Sequence, residues 1–273
     1  MSGSAGGSAS GHERGPAGGH PGGHPGGHPG GHPGGHPGDP AANHAAARPR
    51  LALFDLDHTL LAGDSDVLWC EFLMDRGILE RESFAARNAA MDRDYRAGTV
   101  SPRAFSEFYV STLAGRDAAA WQPEREAFLR EAIAPRLSPA ARELVRERQR
   151  DSALVVLTTA TNRFITELTA VELGIEHLLA TECELDAQGC FTGRPRGTLN
   201  MREGKVERLH EWLAARGQRL SDFESWAYSD STNDLPLLGA VDRPHAVHPD
   251  PRLATIAADQ GWPILHLHEP AGG

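Results

Sequence analysis

The sequence predicts an α/β protein: a doubly wound parallel sheet with a helical cap inserted after its first strand, preceded by a disordered N-terminal tail. Three observations predict it. From residue 51 onward, short apolar runs alternate with helical patterns, as strand–helix–strand units do. Between the first two apolar runs, residues 64–133 carry helical spacing only. The first 50 residues hold 16 of the 30 glycines, 8 of the 19 prolines and 7 of the 14 histidines, leaving ordinary globular usage for the rest.

The tail, residues 1–49, contains five identical Gly-Gly-His-Pro copies over 18–37, with His20, His24, His28, His32 and His36 every four residues. Glycine costs entropy to order and proline removes amide donors, so neither helix nor sheet is expected there. The tail reads as a flexible linker, or as a weak chelator of divalent metal, which makes a His-tail metal-binding protein one alternative for the whole chain.

The first strand is expected at 51–54, where Leu51, Ala52, Leu53 and Phe54 run into acidic residues. The cap follows over 64–136, punctuated by Gly77, Gly98 and Gly115, with Ser101-Pro102 opening a new helix. Ser138-Pro139 opens another, to about 150. A second strand is expected at 153–158, a helix at 164–173, a strand at 178–180 and a hairpin over 181–192, turning at 186–189. A helix over 204–216 carries Val206, Leu209 and Leu213 on one face. Then come strands at 226–229, 246–247 and 264–267, with helices starting near 234 and between the last two strands. The core of the fold thus comprises 50–63 and 137–269.

Charge and composition narrow the function. Outside the first 50 residues the net charge is −11, against a nucleic-acid partner, which wants a basic face. No apolar run reaches 18 residues, against a membrane span. The N-terminus has no apolar signal segment. Cys70, Cys183 and Cys190 are odd in number and lack metal-ligand spacing, so they read as free thiols of a cytoplasmic protein. The oligomeric state leaves no mark in the sequence.

In an open parallel sheet, ligands bind beyond the carboxyl ends of the strands. After the first strand come Asp55, Asp57 and Thr59; after the second, Thr159; early in a later helix, Lys205; after the fourth core strand, Asp230, Asn233 and Asp234. Four carboxylates, one ammonium and one hydroxyl meet at one sheet edge. Carboxylates so crowded need a cation, and hard oxygen donors without His or Cys select Mg²⁺. Mg²⁺ completes its shell with a substrate phosphate, for which Lys205 supplies a point charge and Thr159 a hydrogen bond. Taken singly, Asp57 or Asp234 also suits a helix cap, and Asn233 and Thr159 suit turns. Lys205 is harder to read as mere surface charge. It is the one lysine among 27 basic residues, retained where a compact ammonium, not a planar guanidinium, fits beside a phosphoryl group.

These four motifs, in order over about 50–268, resemble those of the haloacid dehalogenase superfamily, in the branch (subfamily IB) that includes phosphoserine phosphatase. The run 54–61, with Asp64-Ser65-Asp66 and 160–164, looks like a bacterial subgroup in which some members are histidinol phosphatases. The resemblance implies a Rossmann-like core and an Mg²⁺-dependent phosphatase acting on a small phosphorylated metabolite. Asp55 is then the nucleophile that becomes an aspartyl phosphate, and Asp57 the proton donor and acceptor. Asp55, the Asp57 carbonyl and Asp230 hold Mg²⁺, with Asp234 on a metal-bound water or on Lys205. Thr159 and Lys205 bind phosphoryl oxygens, and Asn233 lies on the substrate side. A phosphotransferase of the same fold is a further alternative.

Phosphoserine phosphatases hold the substrate ammonium with an acidic residue about nine positions after the nucleophile, here Asp64, and the carboxylate with a cap arginine. The aligned position here is Tyr109, with no arginine within five residues. That favours a cationic ester without a carboxylate, such as histidinol phosphate. Asp64 reads equally as a helix N-cap, and Arg163 as a surface residue opening a helix.

Overall fold

The computed structural model describes residues 47–268. The expected tail, with its repeat histidines, therefore lies outside the described residues except for 47–49. Seven strands form one sheet: β1 (Arg50–Phe54), β2 (Leu154–Asn162), β3 (His177–Leu185), β4 (Phe191–Arg196), β5 (Glu224–Ser229), β6 (Arg243–Val247) and β7 (Ile264–Leu265). Their order is β4-β3-β2-β1-β5-β6-β7, and every pair is parallel except β3 with β4. β1 is central. The chain builds outward from it through β2, then returns to its other side at β5, so the strand order reverses at the β1/β5 boundary, where such sheets bind ligands.

Between β1 and β2 run α1 (Ser65–Asp75), α2 (Arg81–Arg96), α3 (Pro102–Val110), α4 (Ala118–Phe128) and α5 (Pro139–Asp151). Then come α6 (Arg163–Glu172), α7 (Glu203–Ala214), α8 (Leu235–Leu238) and α9 (Pro251–Gln260). Ser101 and Ser138 cap α3 and α5 just before Pro102 and Pro139, as the sequence predicts. Strand periodicity explains why both faces of β1 are apolar. Leu51 and Leu53 join Val156, Ala227, Leu209 and Leu253 under α7 and α9. Ala52 and Phe54 join Leu157, Tyr228, Val145 and Ile165 under α5 and α6. Each buried leucine contributes about 1.5–3 kcal/mol.

The inserted segment does not pack as one body. Trp69 of α1 lies edge-on to Trp121 and Phe128 of α4, with ring centroids 5.7 and 5.0 Å apart, and all three share the sheet core beneath them. α2 and α3 build a separate aromatic cluster, with Tyr95 against Phe105 at 4.3 Å and Phe84 against Phe108 at 5.1 Å.

Three elements differ from expectation. β2 runs past 158 to Asn162, whose side chain then caps α6. β3 is one nine-residue strand, where the sequence suggests a three-residue strand and a separate hairpin. Its first half pairs parallel with β2 and its second half antiparallel with β4, so the hairpin extends the main sheet. The turn falls where expected, with Asp186 Oδ1 accepting the Gln188 and Cys190 amides, both at 2.9 Å. The last strand is two residues long. No helix among the described residues is long and apolar enough to cross a membrane.

Candidate active site

Parallel register carries the motifs to one edge. Phe54 pairs with Leu157 on one side and Tyr228 on the other, so Asp55, Thr159 and Asp230 all follow at the same end of adjacent strands. After Asp55 the chain turns tightly. The Leu60 and Leu61 amides both donate to the Leu56 carbonyl, at 3.0 and 2.9 Å. The turn brings Thr59 back over the strand end. Its hydroxyl is 2.9 Å from Asp55 Oδ2 and 3.4 Å from Asp230 Oδ1, and it accepts the Asp230 amide at 3.0 Å. One hydroxyl thus ties the two carboxylates together.

Lys205 comes in from the first turn of α7. Gly204 makes that approach possible, because a Cβ there would lie 2.0 Å from the Leu199 carbonyl oxygen. The Lys205 side chain is 3% exposed, and Nζ donates to Asp55 Oδ1 at 2.7 Å and to Asp234 Oδ2 at 2.6 Å. Ser229 Oγ also donates to Asp234 Oδ2, at 2.8 Å. Burial alone would depress the amine, but the Asp234 and Asp55 charges outweigh it and hold Lys205 above its ordinary value. Asp55 is pushed up to about 7, first by burial, against the pull of Lys205 and with the push of Asp234 and Asp57. Asp230 is raised well above the usual carboxylate range by burial and by the charges of Asp55 and Asp234.

Asp57 faces three donors: the Ser65 amide at 2.7 Å on Oδ1, and the Thr159 and Thr161 hydroxyls at 3.1 and 3.0 Å on Oδ2. Thr161 Oγ1 also lies 3.0 Å from Asp66 Oδ2. Asp66 is buried and raised well above the carboxylate range, first by burial and then by Asp64 and Asp57.

A cavity of about 840 Å³ opens on this edge. Asp55, Asp57, Asp230 and Asp234 reach its wall, with Asp64 beside them. Asp64 takes the helix-cap role the sequence allows, and it also lines the cavity. Its Oδ1 accepts the Val67 amide at 3.0 Å as the N-cap of α1, and the same carboxyl lines the cavity, pushed up to about 8 by burial and by Asp57. Thr159 and Lys205 lie behind the wall, touching the cavity through Asp57 and Asp55. Asn233 is not on the wall either: its amide is spent on Arg202 Nε at 3.1 Å and the Tyr95 carbonyl at 3.4 Å, joining the loop before α8 to the end of α2. Arg163 holds Glu182 and the Leu178 carbonyl, both at 2.8 Å, and Tyr109 is buried against Phe105 and Phe108.

Sequence reading misses the other half of the wall. Arg96 of α2 reaches the cavity, with Nε 2.8 Å from Asp92 Oδ1 and Nη2 2.7 Å from His58 Nε2. A cap arginine is therefore present, 13 residues before Tyr109. Burial first, and then the Arg96 charge, lower the His58 pKa below its ordinary value. His248 and His266 close the far side. His248 Nε2 accepts the Leu267 and His268 amides at 2.6 and 3.1 Å, so its proton sits on Nδ1, 3.4 Å from His266 Nδ1. Only the Asp92/Arg96 spacing of four on one helix hints at any of this in the sequence.

The donor set fits Mg²⁺. Asp55 and Asp230 offer hard oxygens, drawn together by Thr59 and both raised first by burial and then by neighbouring carboxylates, the condition a bound cation relieves.

A carboxylate on a cavity wall, an ammonium buried behind it and a second carboxylate beside a hydroxyl pair suit the hydrolysis of a phosphate ester. The fold and this chemistry define a phosphoric monoester hydrolase. The chain belongs to the haloacid dehalogenase-like hydrolase family, whose model matches residues 52–239. The histidinol-phosphatase of Neisseria meningitidis serogroup C (strain 8013) is 37% identical over 218 residues, 80% of this chain and 98% of that one. A Bordetella pertussis Tohama I protein of unknown function superposes with a TM-score of 0.77 at 42% identity, covering 81% of this chain and 100% of the other. A phosphoserine phosphatase, solved as a phospho-aspartyl intermediate analogue, has a TM-score of 0.59 at 17% identity, covering 82% and 95%, and shares the fold.

Proposed function

We propose that this protein is an Mg²⁺-dependent phosphatase that hydrolyses histidinol phosphate, or an ester very like it, through a phosphorylated Asp55. The observation that carries the reading is Asp55 itself, on the cavity wall with Lys205 Nζ 2.7 Å behind it. An Asp55 oxygen attacks phosphorus as the ester P–O bond breaks, and the leaving oxygen takes a proton from Asp57. Water then gives a proton to Asp57 and attacks phosphorus, releasing phosphate and restoring both carboxyls. The Thr159 and Thr161 hydroxyls and the Ser65 amide hold Asp57 in place for both transfers. Lys205 neutralises the charge of the loaded site, and Asp234 fixes Lys205. Asp55, Asp230 and the Asp57 carbonyl would hold Mg²⁺, which when bound would supply charge stabilisation to the phosphoryl oxygens. α2 and α3 act as the cap proper, bringing Arg96 and Tyr95 to the cavity. The three unpaired thiols support a reducing, cytoplasmic setting.

The cationic product side is supported by Asp64 on the wall and by the 37% identical histidinol-phosphatase. Arg96 favours a second reading, an ester with a carboxylate such as phosphoserine, although its guanidinium is engaged by Asp92 and His58. Phosphate release from both esters, with Mg²⁺ and with Asp55→Asn as the blank, tests the pair. A higher kcat/KM for histidinol phosphate is expected, and a clear phosphoserine preference would overturn the choice of substrate.

A further inference from the structure

Residues 200–205, which lead from β4 into α7, attach in turn to the sheet, the cap and the nucleophile. Asn200 is fully buried, with Nδ2 2.9 Å from the Thr159 and Leu179 carbonyl oxygens, which moors the segment to β2 and β3. Met201 is buried on the other side, against Phe105 and Tyr109 in the aromatic cluster of the cap. Arg202 donates through Nε to Asn233 Oδ1 at 3.1 Å, and its Nη2 lies 3.4 Å from the carbonyl oxygens of both Gly98 and Val100, in the turn between α2 and α3. Asn233 Nδ2 in turn donates to the Tyr95 carbonyl at 3.4 Å. Lys205 ends the segment on Asp55 and Asp234.

Arg202 holds its place against its own backbone preference. Its φ is 53° with ψ −125°, a region natural to glycine and unfavourable to any residue with a Cβ. The position directly precedes α7, where glycine or a capping side chain is the ordinary choice, yet the Arg202 side chain makes no cap to that helix. Its side-chain hydrogen bonds go instead to Asn233 and to the cap turn. Strained residues persist only where the surroundings over-determine them, and they concentrate at working sites. The end of α2 that Arg202 and Asn233 fasten brings Tyr95 and Arg96 to the cavity wall. The two loops that fasten it carry Lys205 and Asp234.

We propose that Arg202 is a positioning residue that couples the cap to the phosphate-binding lysine. With Asn233 it ties the cavity face of α2 to both loops behind Asp55, so that the fit of the leaving group under α2 and the placement of the Lys205 ammonium are set together. The proposal rests on the phosphatase reading above and goes beyond it.

The test uses the full chain with Mg²⁺, on histidinol phosphate and on p-nitrophenyl phosphate. Arg202→Gly removes the side chain and the backbone strain at once. It is expected to melt at or above the wild-type temperature and yet to lose about 10- to 100-fold in kcat/KM on each ester the wild type hydrolyses, the range that a misplaced reacting group costs. Arg202→Ala keeps the strain, so it should melt below Arg202→Gly with a similar loss of activity. Arg202→Lys, which has one nitrogen for three acceptors, should recover only part of the loss. Arg202→Gly combined with Asn233→Ala should lose little more than either alone, because the two cut one link. Wild-type kcat/KM in Arg202→Gly overturns the coupling and leaves the phosphatase standing. So does a fall in melting temperature large enough to account for the lost activity, and so do losses in the double variant that simply add. Absence of phosphate release from both esters by the wild type overturns the phosphatase reading, and the coupling with it.

Discussion

Lys205 Nζ donates to Asp55 Oδ1 at 2.7 Å, joining residues 150 positions apart at the centre of the sheet edge. The pair is nearly closed to water, at 3% and 9% side-chain exposure. Asp234 joins it from the other side, so one ammonium is shared between two carboxyl groups. Buried pairs add little stability for their desolvation cost. In the proposed mechanism the buried ammonium acts instead on a phosphoryl group held at Asp55.

Lys205→Arg is expected to cut kcat by about 100-fold or more, the usual cost of losing one aimed electrostatic donor at a reacting centre. A guanidinium cannot enter a site that holds a 2.7 Å and a 2.6 Å contact to one nitrogen without displacing Asp55 or Asp234. Steady-state phosphate release checks it, and near-wild-type turnover would remove Lys205 from the machinery.

Asp66→Asn is expected to stabilise the protein increasingly as pH rises. Asp66 is 2% exposed, its Oδ1 lacks a partner, and burial raises it well above the carboxylate range. The unfolded chain loses that proton near the ordinary value of 3.8, whereas the folded chain keeps it to higher pH. The folded state therefore binds more protons between the two values, and wild-type stability falls as pH rises through that window. Asparagine is neutral throughout and keeps a donor for Thr161. Melting temperatures from about pH 4 to pH 8 read the difference, and curves that stay parallel would show that Asp66 is ionised in the fold.

The strands of the core and the phosphate-handling motifs were legible because each is local. A strand shows as an apolar run, and a motif residue sits directly after it, as Asp55 does after Phe54 and Asp230 after Ser229. The division of the cap was not. Trp69, Trp121 and Phe128 meet only in three dimensions, and helical spacing does not say which aromatic faces the sheet. The same holds for His58, Asp64 and Asp92, whose side chains come within 4.8 Å of one another only because α2 docks over the start of α1. Arg96 is 13 residues before Tyr109, and α2 and α3 meet through Tyr95 against Phe105 and Phe84 against Phe108, contacts that sequence spacing does not reveal. β3 was cut short because its second half, ending in the exposed Leu185, loses the apolar run that marks a buried strand.

Mg²⁺ is expected to raise the melting temperature of the chelator-treated protein and to restore its phosphatase activity. Asp55 and Asp230 are both held above their ordinary values by burial and mutual charge, so a cation that binds only the folded site relieves a strain the unfolded chain does not feel. At a hundredfold excess over its Kd, such a ligand stabilises by about 2.7 kcal/mol, or about 5–10 °C for a domain of this size. Asp230→Asn should lose most of the shift. A melting temperature indifferent to Mg²⁺ would leave the carboxylate cluster without its expected cation.

Gly204→Ala tests how the backbone delivers Lys205. The new Cβ would stand 2.0 Å from the Leu199 carbonyl oxygen, closer than any real contact, and the obstacle is backbone rather than a side chain that can swing away. The start of α7 must shift, and Lys205, the next residue, shifts with it. The expected cost is about 1–3 kcal/mol of stability, as for overpacking elsewhere, together with a loss of kcat larger than that destabilisation alone explains. Melting temperature and phosphate release, measured on the same preparation, separate the two. An alanine variant with wild-type kcat would show that Lys205 reaches Asp55 without help from the close approach at Gly204.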